Sequence, residues 1–261
     1  MNNKGDLPRN ANTGTVAFIV LVLGFTGLNL LISIQAVALD MESYISTWTG
    51  LDIPTSAAMS LDDLRLVGSK LLGYFTGTES TPQVTAAIDG TLRPVFREHE
   101  IEHLYDVRDL FQLGFGAKRV CQALIVLGIL LAAWQPGVNG YHDKRQRLFQ
   151  SALRVGLLVS KSLKAGGILL LAATVLLGLP AALDFTRWWT GFHLITFDND
   201  LWRLDPATDW LIRIFPEEFF FAAVKRIAMY SIAIAGTYIV LGIILRFSVG
   251  YLSSDHSKQD F

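Results

Sequence analysis

Histidine is the scarce polar residue of this chain: there are five among 261 residues. His142 sits in a basic stretch and His256 in the C-terminal tail, and both read as solvated side chains. His99, His103 and His193 lie beside long apolar segments instead. His99-Glu100-Ile101-Glu102-His103 spells H-E-x-x-H, which on a helix puts two imidazoles on one face with a carboxylate beside them, as in zinc proteases. The pattern has few fixed positions and no third ligand with a supporting spacing, and Arg97, Glu98 and Glu102 read as a polar helix entrance. A surface residue is the better reading of His99, and no metal is expected. His103 has Asp106 at i+3, on nearly the same helical face, where a carboxylate can orient or charge-stabilise the ring. A histidine held that way is a usable general base near neutral pH. A salt-bridged surface histidine fits the stretch equally well.

His193 stands in an aromatic stretch. Residues 184–221 hold 11 of the 29 aromatic side chains, among them Phe192, Phe197 and Trp202. An interfacial belt accounts for most of these rings. It does not account for His193 or for the adjoining Asp198-Asn199-Asp200.

Four apolar segments must carry these residues. Each is long enough to cross a bilayer, which takes about 20 residues: 15–39, 113–134, 165–183 and 227–245. Irregular backbone cannot face lipid, so all four are expected as helices, with Pro180 kinking or ending the third. Ala36-Val37-Ala38 resembles a signal-cleavage site, but the apolar run exceeds the roughly 7–15 residues of a signal core, so it reads as an anchor. Segment 136–164 carries Lys144, Arg145, Arg147, Arg154, Lys161 and Lys164 against the single acid Asp143, which predicts a cytoplasmic loop and cytoplasmic termini. Segments 40–112 and 184–225 then face outward, with 19 of the 23 acidic residues.

Within them, Ser60-Leu61-Asp62-Asp63 has the spacing of a helix start, and Leu61, Leu64, Leu71, Leu72 and Phe75 continue it to about Gly73–Gly77. Asp89-Gly90 predicts a two-residue hairpin turn between Gln83–Ile88 and Thr91–Phe96, with Pro94 toward an edge. A helix from Glu98 runs into the second apolar segment. Asp205-Pro206 and Pro216-Glu217-Glu218 each look like the start of a short helix. The fold class is therefore an all-α membrane protein, four transmembrane helices with a small extracytoplasmic cap containing a β-hairpin and short helices.

Composition agrees. Hydrophobic residues make up 51% and charged residues 17%, with mean hydropathy +0.40, where soluble domains carry about 25% charged residues. A disordered chain, a disulfide scaffold (Cys121 is the one cysteine) and a nucleic-acid partner, which needs a basic field, are excluded at net charge −1. Cys121, inside an apolar segment, reads as a small core residue.

Glu102–Arg108, the run Phe192–Trp202 continuing through Leu204-Asp205-Pro206, Thr208-Asp209 to Phe215-Pro216-Glu217, and Ser60-Leu61-Asp62 together resemble the lipoprotein intramolecular transacylase (Lit) family. The likeness spans about residues 20–245; the basic loop and both tails (Met1–Asn10 and Ser253–Phe261) look longer than the family needs. The resemblance implies a multi-pass enzyme of the bacterial cytoplasmic membrane, surrounded by phospholipid and needing no cofactor. Its substrate would be a diacylated lipoprotein, whose sn-2 acyl chain moves to the α-amine of the N-terminal cysteine to leave the lyso-form. By matching position, His103 and His193 are the catalytic pair on the extracytoplasmic side. Tyr105, Asp106, Phe192, Phe197, Asp198, Asn199, Trp202 and Pro216 are nominated as supporting or pocket residues.

The chemistry is self-consistent. An α-amine has a reference pKa of about 7.7–8.0 and imidazole about 6.5, so a nearby histidine can take the amine's proton. The ester carbonyl becomes an oxyanion that needs a donor. Asp106 favours His103 as the base. The alternatives are a zinc protease using His99, Glu100 and His103, and a non-catalytic membrane scaffold. The oligomeric state is left open.

Overall fold

The structure, a computed structural model, describes residues 9–134 and 143–259, with side chains over 13–134 and 143–254. His142, the side chain of His256, most of both tails and residues 136–142 of the basic segment lie outside the described residues.

In chain order the elements are α1 (Arg9–Ala38), α2 (Met41–Gly50), α3 (Ile53–Ser56), α4 (Leu61–Thr76), β1 (Thr85–Ile88), β2 (Thr91–Pro94), α5 (Glu98–Ala133), α6 (Lys144–Leu183), α7 (Phe185–Thr196), α8 (Trp210–Ile214) and α9 (Glu217–Gln259). Helices α1, α5, α6 and α9 are long and apolar enough to cross a membrane. They outrun the apolar segments that announce them. Hydropathy marks where a helix can meet lipid and not where its backbone hydrogen bonding ends. The basic segment is accordingly helical from Lys144 onward, because nothing between Lys144 and Lys164 breaks a helix. Pro180 does not end α6 either; it lies in the last turn, and Asp184 N–H still bonds its carbonyl at 3.1 Å.

The chain forms two compact units. The first, the described parts of 1–31, 117–173 and 231–261, is built from the four long helices. Small residues let them approach closely. A Cβ at Gly128 would sit 2.6 Å from Leu21 on α1, one at Gly27 2.7 Å from the Cys121 sulfur, and one at Gly167 2.8 Å from the Ala235 carbonyl on α9. Hydrogen bonds cross the same seams: Ser160 Oγ donates to the Gly242 carbonyl at 2.7 Å, and Thr26 Oγ1 to that of Gly166 at 3.3 Å. This is the usual logic of helix packing in lipid, where no hydrophobic effect drives helices together and contact area does.

The second unit, 32–116 and 174–230, has a core of the kind water imposes. Trp48 is fully buried among Leu64, Val67, Leu71, Phe215 and Phe219, and its indole N–H donates to the Ile214 carbonyl at 2.9 Å. Ser60 caps α4 by accepting from Asp63 N–H, and Gly77 ends it at φ 89°. Asp63 also accepts from Ala87 N–H at 3.1 Å, fastening the hairpin to α4. The hairpin pairs Ile88 with Thr91 across Asp89-Gly90, both at positive φ (51° and 71°), and Thr85 with Pro94 at the open end. Asp205-Pro206 opens a single turn and not a helix. Asp205 Oδ1 takes Ala207 N–H at 2.8 Å and its carbonyl takes Asp209 N–H, after which Asp209 turns extended and α8 begins.

Candidate active site

Both candidate histidines belong to the second unit. His103 is in the second turn of α5 and His193 in the last turn of α7; each is 7% exposed. Their ring centroids are 6.3 Å apart. No hydrogen bond joins the two buried imidazoles, so one reacting group could interact with both.

The two rings are held differently. Helix α7 starts at Asp184, whose side chain accepts from Arg187 N–H. The i−4 carbonyl of Trp189 takes the Nδ1 of His193 at 2.8 Å. A carbonyl only accepts, so Nδ1 must donate, and the neutral ring carries its lone pair on Nε2. The ring is boxed by Trp202 stacked at 4.7 Å, by Trp189 edge-on at 4.5 Å, and by Phe192 and Phe197 at 5.4 and 5.7 Å. Burial pushes His193 below the ordinary histidine value of 6.5, against the Trp189 bond, which favours the protonated ring.

His103 has no such tie: its Nδ1 is buried without a hydrogen-bond partner. Phe197 meets it edge-on at 5.2 Å. Asp106 makes no hydrogen bond to it. The Asp106 carboxylate accepts from Asn199 Nδ2 at 2.9 Å instead. Asn199 also takes Leu201 N–H on its own side-chain oxygen and Trp202 Nε1–H on its carbonyl, both at 3.0 Å. The irregular segment after α7 is thereby folded back onto α5, bringing the Trp202 ring onto His193.

Of the nominated residues, Asp106, Phe192, Phe197, Asn199 and Trp202 gather around the two imidazoles through these contacts. Tyr105 does not: it is half-exposed, with its ring toward Tyr74 at 6.2 Å. Pro216 precedes α9 and lines a separate open groove with Arg213 and Glu217. Asp198 begins the bend between α7 and Asn199 and makes no hydrogen bond of its own.

The H-E-x-x-H residues part company. His99 Nε2 reaches Asp209 at 3.1 Å, whereas His103 faces His193. Glu100 is fully buried, with Oε1 accepting from Leu211 N–H at 2.6 Å and Oε2 from Arg97 N–H at 2.8 Å. Both oxygens are committed to backbone donors, so it is not placed as a base. Among the described residues no three His, Cys, Asp or Glu side chains converge as a metal site. Asp209, 3% exposed, also accepts from Asp205 N–H and Thr208 Oγ1. Burial works to raise its carboxyl, and these donors with His99 outweigh it, holding the group below the usual carboxylate range. The sequence marks Glu100 only as part of H-E-x-x-H, yet its place three residues after Arg97 is also the spacing of a helix-start capping return.

The pattern of the family described as lipoprotein intramolecular transacylase Lit matches residues 17–220. No curated protein matches the chain. Among solved structures, the membrane integral lipoprotein intramolecular transacylase Lit from Bacillus cereus superposes with a TM-score of 0.71 at 21% identity, covering 90% of this chain and 96% of that one. Two variants of the same Bacillus cereus protein also match. One has a histidine replaced by arginine (TM-score 0.65, 19% identity, 95% and 96% covered), the other by alanine (0.67, 20%, 94% and 97%). At these identities the structures establish a shared fold, and the family pattern, over most of the chain, does the rest. With its four long apolar helices, this chain is a multi-pass bacterial membrane protein that belongs to the lipoprotein intramolecular transacylase (Lit) family.

Proposed function

We propose that this acyltransferase moves the sn-2 acyl chain of a diacylglyceryl-cysteine lipoprotein onto the cysteine's own α-amine. The observation that carries the proposal is the pair of buried imidazoles 6.3 Å apart, one with its tautomer fixed. His193 is the base, in place of the role Asp106 suggested for His103, because its Nδ1–H is spent on Trp189 and its Nε2 is free to accept. The amine nitrogen attacks the ester carbonyl carbon as Nε2 takes an amine proton. His103, facing His193, donates to the oxyanion that forms. The C–O bond to glycerol then breaks, the glyceryl oxygen takes the proton back from His193, and the acyl carbon is left in an amide. No enzyme nucleophile is required because donor and acceptor are tethered in one substrate, so orientation is the main contribution. The aromatic walls suit acyl chains and exclude the water that would hydrolyse the ester.

The site faces the extracytoplasmic side and both termini the cytoplasm, a reading supported by the basic residues at the start of α6. Two experiments test these statements. Mass spectrometry of a lipoprotein N-terminal peptide from cells expressing the protein should show an N-acyl cysteine with the sn-2 chain gone; an unchanged diacyl form overturns the reading. A membrane-impermeant maleimide should label Thr91→Cys in intact cells and Arg145→Cys only after lysis, both in a Cys121→Ala background.

A further inference from the structure

His99 and Glu100 of the H-E-x-x-H run are left without work by this chemistry, although Glu100 is among the most deeply buried polar groups of the described residues. The second unit gives it a specific set of partners. Arg97 N–H belongs to the residue just before α5, and Glu100, three residues on, returns a carboxylate oxygen to it. Leu211 N–H is one of the unpaired donors in the first turn of α8, whose own N-cap, Asp209, makes no side-chain capping bond. One buried carboxylate therefore caps two helices, the second through a residue 111 positions further along the chain.

The segment between them carries the meaning. Residues 199–211 are fastened to α5 on both sides of His103. One turn before it, Glu100 holds Leu211 and His99 holds Asp209. One turn after it, Asp106 holds Asn199. The strap so pinned bears Trp202, stacked on His193, and follows Phe197, whose ring touches both imidazoles. The position of one histidine relative to the other thus runs through the strap and its two fastenings.

We propose that Glu100 is a positioning residue for the transacylation: it acts through the Asn199–Leu211 strap to set His103 against His193, and takes no part in proton transfer. The inference rests on the proposed reaction for its kinetic test, and has a second test that needs no substrate. Glu100→Gln replaces one acceptor by an N–H2 aimed at a backbone N–H, so one fastening opens while the side-chain volume is kept. With a diacylated lipopeptide, well below the melting temperature of each variant, kcat should fall by about tenfold to a hundredfold with KM within about threefold. Chelators should leave both enzymes unchanged. The control is Asp63→Ala, which removes a staple elsewhere in the same unit, between α4 and β1. It should lower Tm and leave kcat at the wild-type value. In a cycle with Asn199→Ala, the double variant should lose less than the product of the single losses, since both residues pin one strap.

The second readout is the rate at which diethyl pyrocarbonate modifies His103 and His193, which should rise severalfold in Glu100→Gln. If Glu100→Gln does not fold, Asp209→Asn takes its place with the same expected direction. Wild-type kcat in the folded variant, multiplicative losses with Asn199→Ala, an equal kcat loss in Asp63→Ala, or unchanged histidine modification would overturn the proposal. A wild-type protein without transacylase activity would instead overturn the reaction, leaving the modification rates to decide the role of Glu100.

Discussion

The two walls of the site are built by opposite means. The α5 wall is polar: His103 stands between carboxylates at positions 100 and 106, and each carboxylate is spoken for by a donor from the strap. The α7 wall is aromatic, with His193 enclosed by Trp189, Phe192 and Trp202 and by a single hydrogen bond that fixes its proton. One imidazole is thus defined in tautomer and the other in location. That division is what an acid–base step needs from one group and oxyanion stabilisation from another. The sharpest way to break it is to exchange the replacements. His193→Ala should lower kcat by about 10²–10⁴-fold, the usual contribution of a general base. His103→Ala should cost about 10²–10³-fold, as for the loss of one oxyanion donor. Glutamine separates them: at 103 it still offers a donor and should recover part of the loss, whereas at 193 it cannot take a proton and should recover none. Quantifying N-acyl peptide by mass spectrometry checks both, and equal recovery at the two sites would collapse the distinction.

A smaller effect is expected where the walls meet. Trp202→Leu removes the ring stacked on His193 and the indole N–H that bonds Asn199, while keeping an apolar side chain. A drop of about tenfold in kcat should follow, from a looser His193 and not from lost chemistry. If the loss appears in KM alone, Trp202 lines the acyl pocket and does not steady the base.

The aromatic wall also makes a pH prediction. Burial, its first cause, holds His193 below 6.5 in the folded protein. A base is active when deprotonated, so the acid limb of kcat should lie below the ordinary histidine value. The same shift affects stability. With the folded pKa below the unfolded one, the unfolded chain binds more protons in that window, so stability is complete above about pH 6.5 and declines as pH falls below it. His193→Phe should flatten that part of a Tm–pH curve. The lowered carboxyl of Asp209 adds a separate loss at more acidic pH, present in both proteins.

Much of this architecture is legible in the sequence, and the reasons are local. The four long helices announce themselves because lipid demands continuous apolar runs, and the hairpin because Asp89-Gly90 satisfies a turn needing positive φ twice. His103 and His193 were legible as a pair only through the motifs around them, since no spacing in sequence relates residues on α5 to residues on α7. What was hidden is tertiary. Asp106 sits at the right interval to serve His103, yet Asn199 takes its carboxylate, because a side-chain amide arriving from the strap competes for the same oxygens. Glu100 looked like half of a metal motif, and the backbone N–H of Leu211 defines it instead. A helical period tells which side chains share a face; it does not tell what lands on that face.

Asp106 offers the smallest and most discriminating change. Its carboxylate lies one turn from His103 without touching it, so it can matter either by its charge, steadying a developing imidazolium, or by its bond, holding Asn199. Asp106→Asn removes the charge and keeps a carbonyl oxygen for the Asn199 amide. Asp106→Ala removes both. If the bond is the main role, Asp106→Asn should stay within about threefold of wild type, and Asp106→Ala should fall to the level of Asn199→Ala, since the two deletions undo one contact. If the charge is the main role, the two variants should lose activity alike, and the polar wall would then act on His103 electrostatically and no longer only as a frame for it.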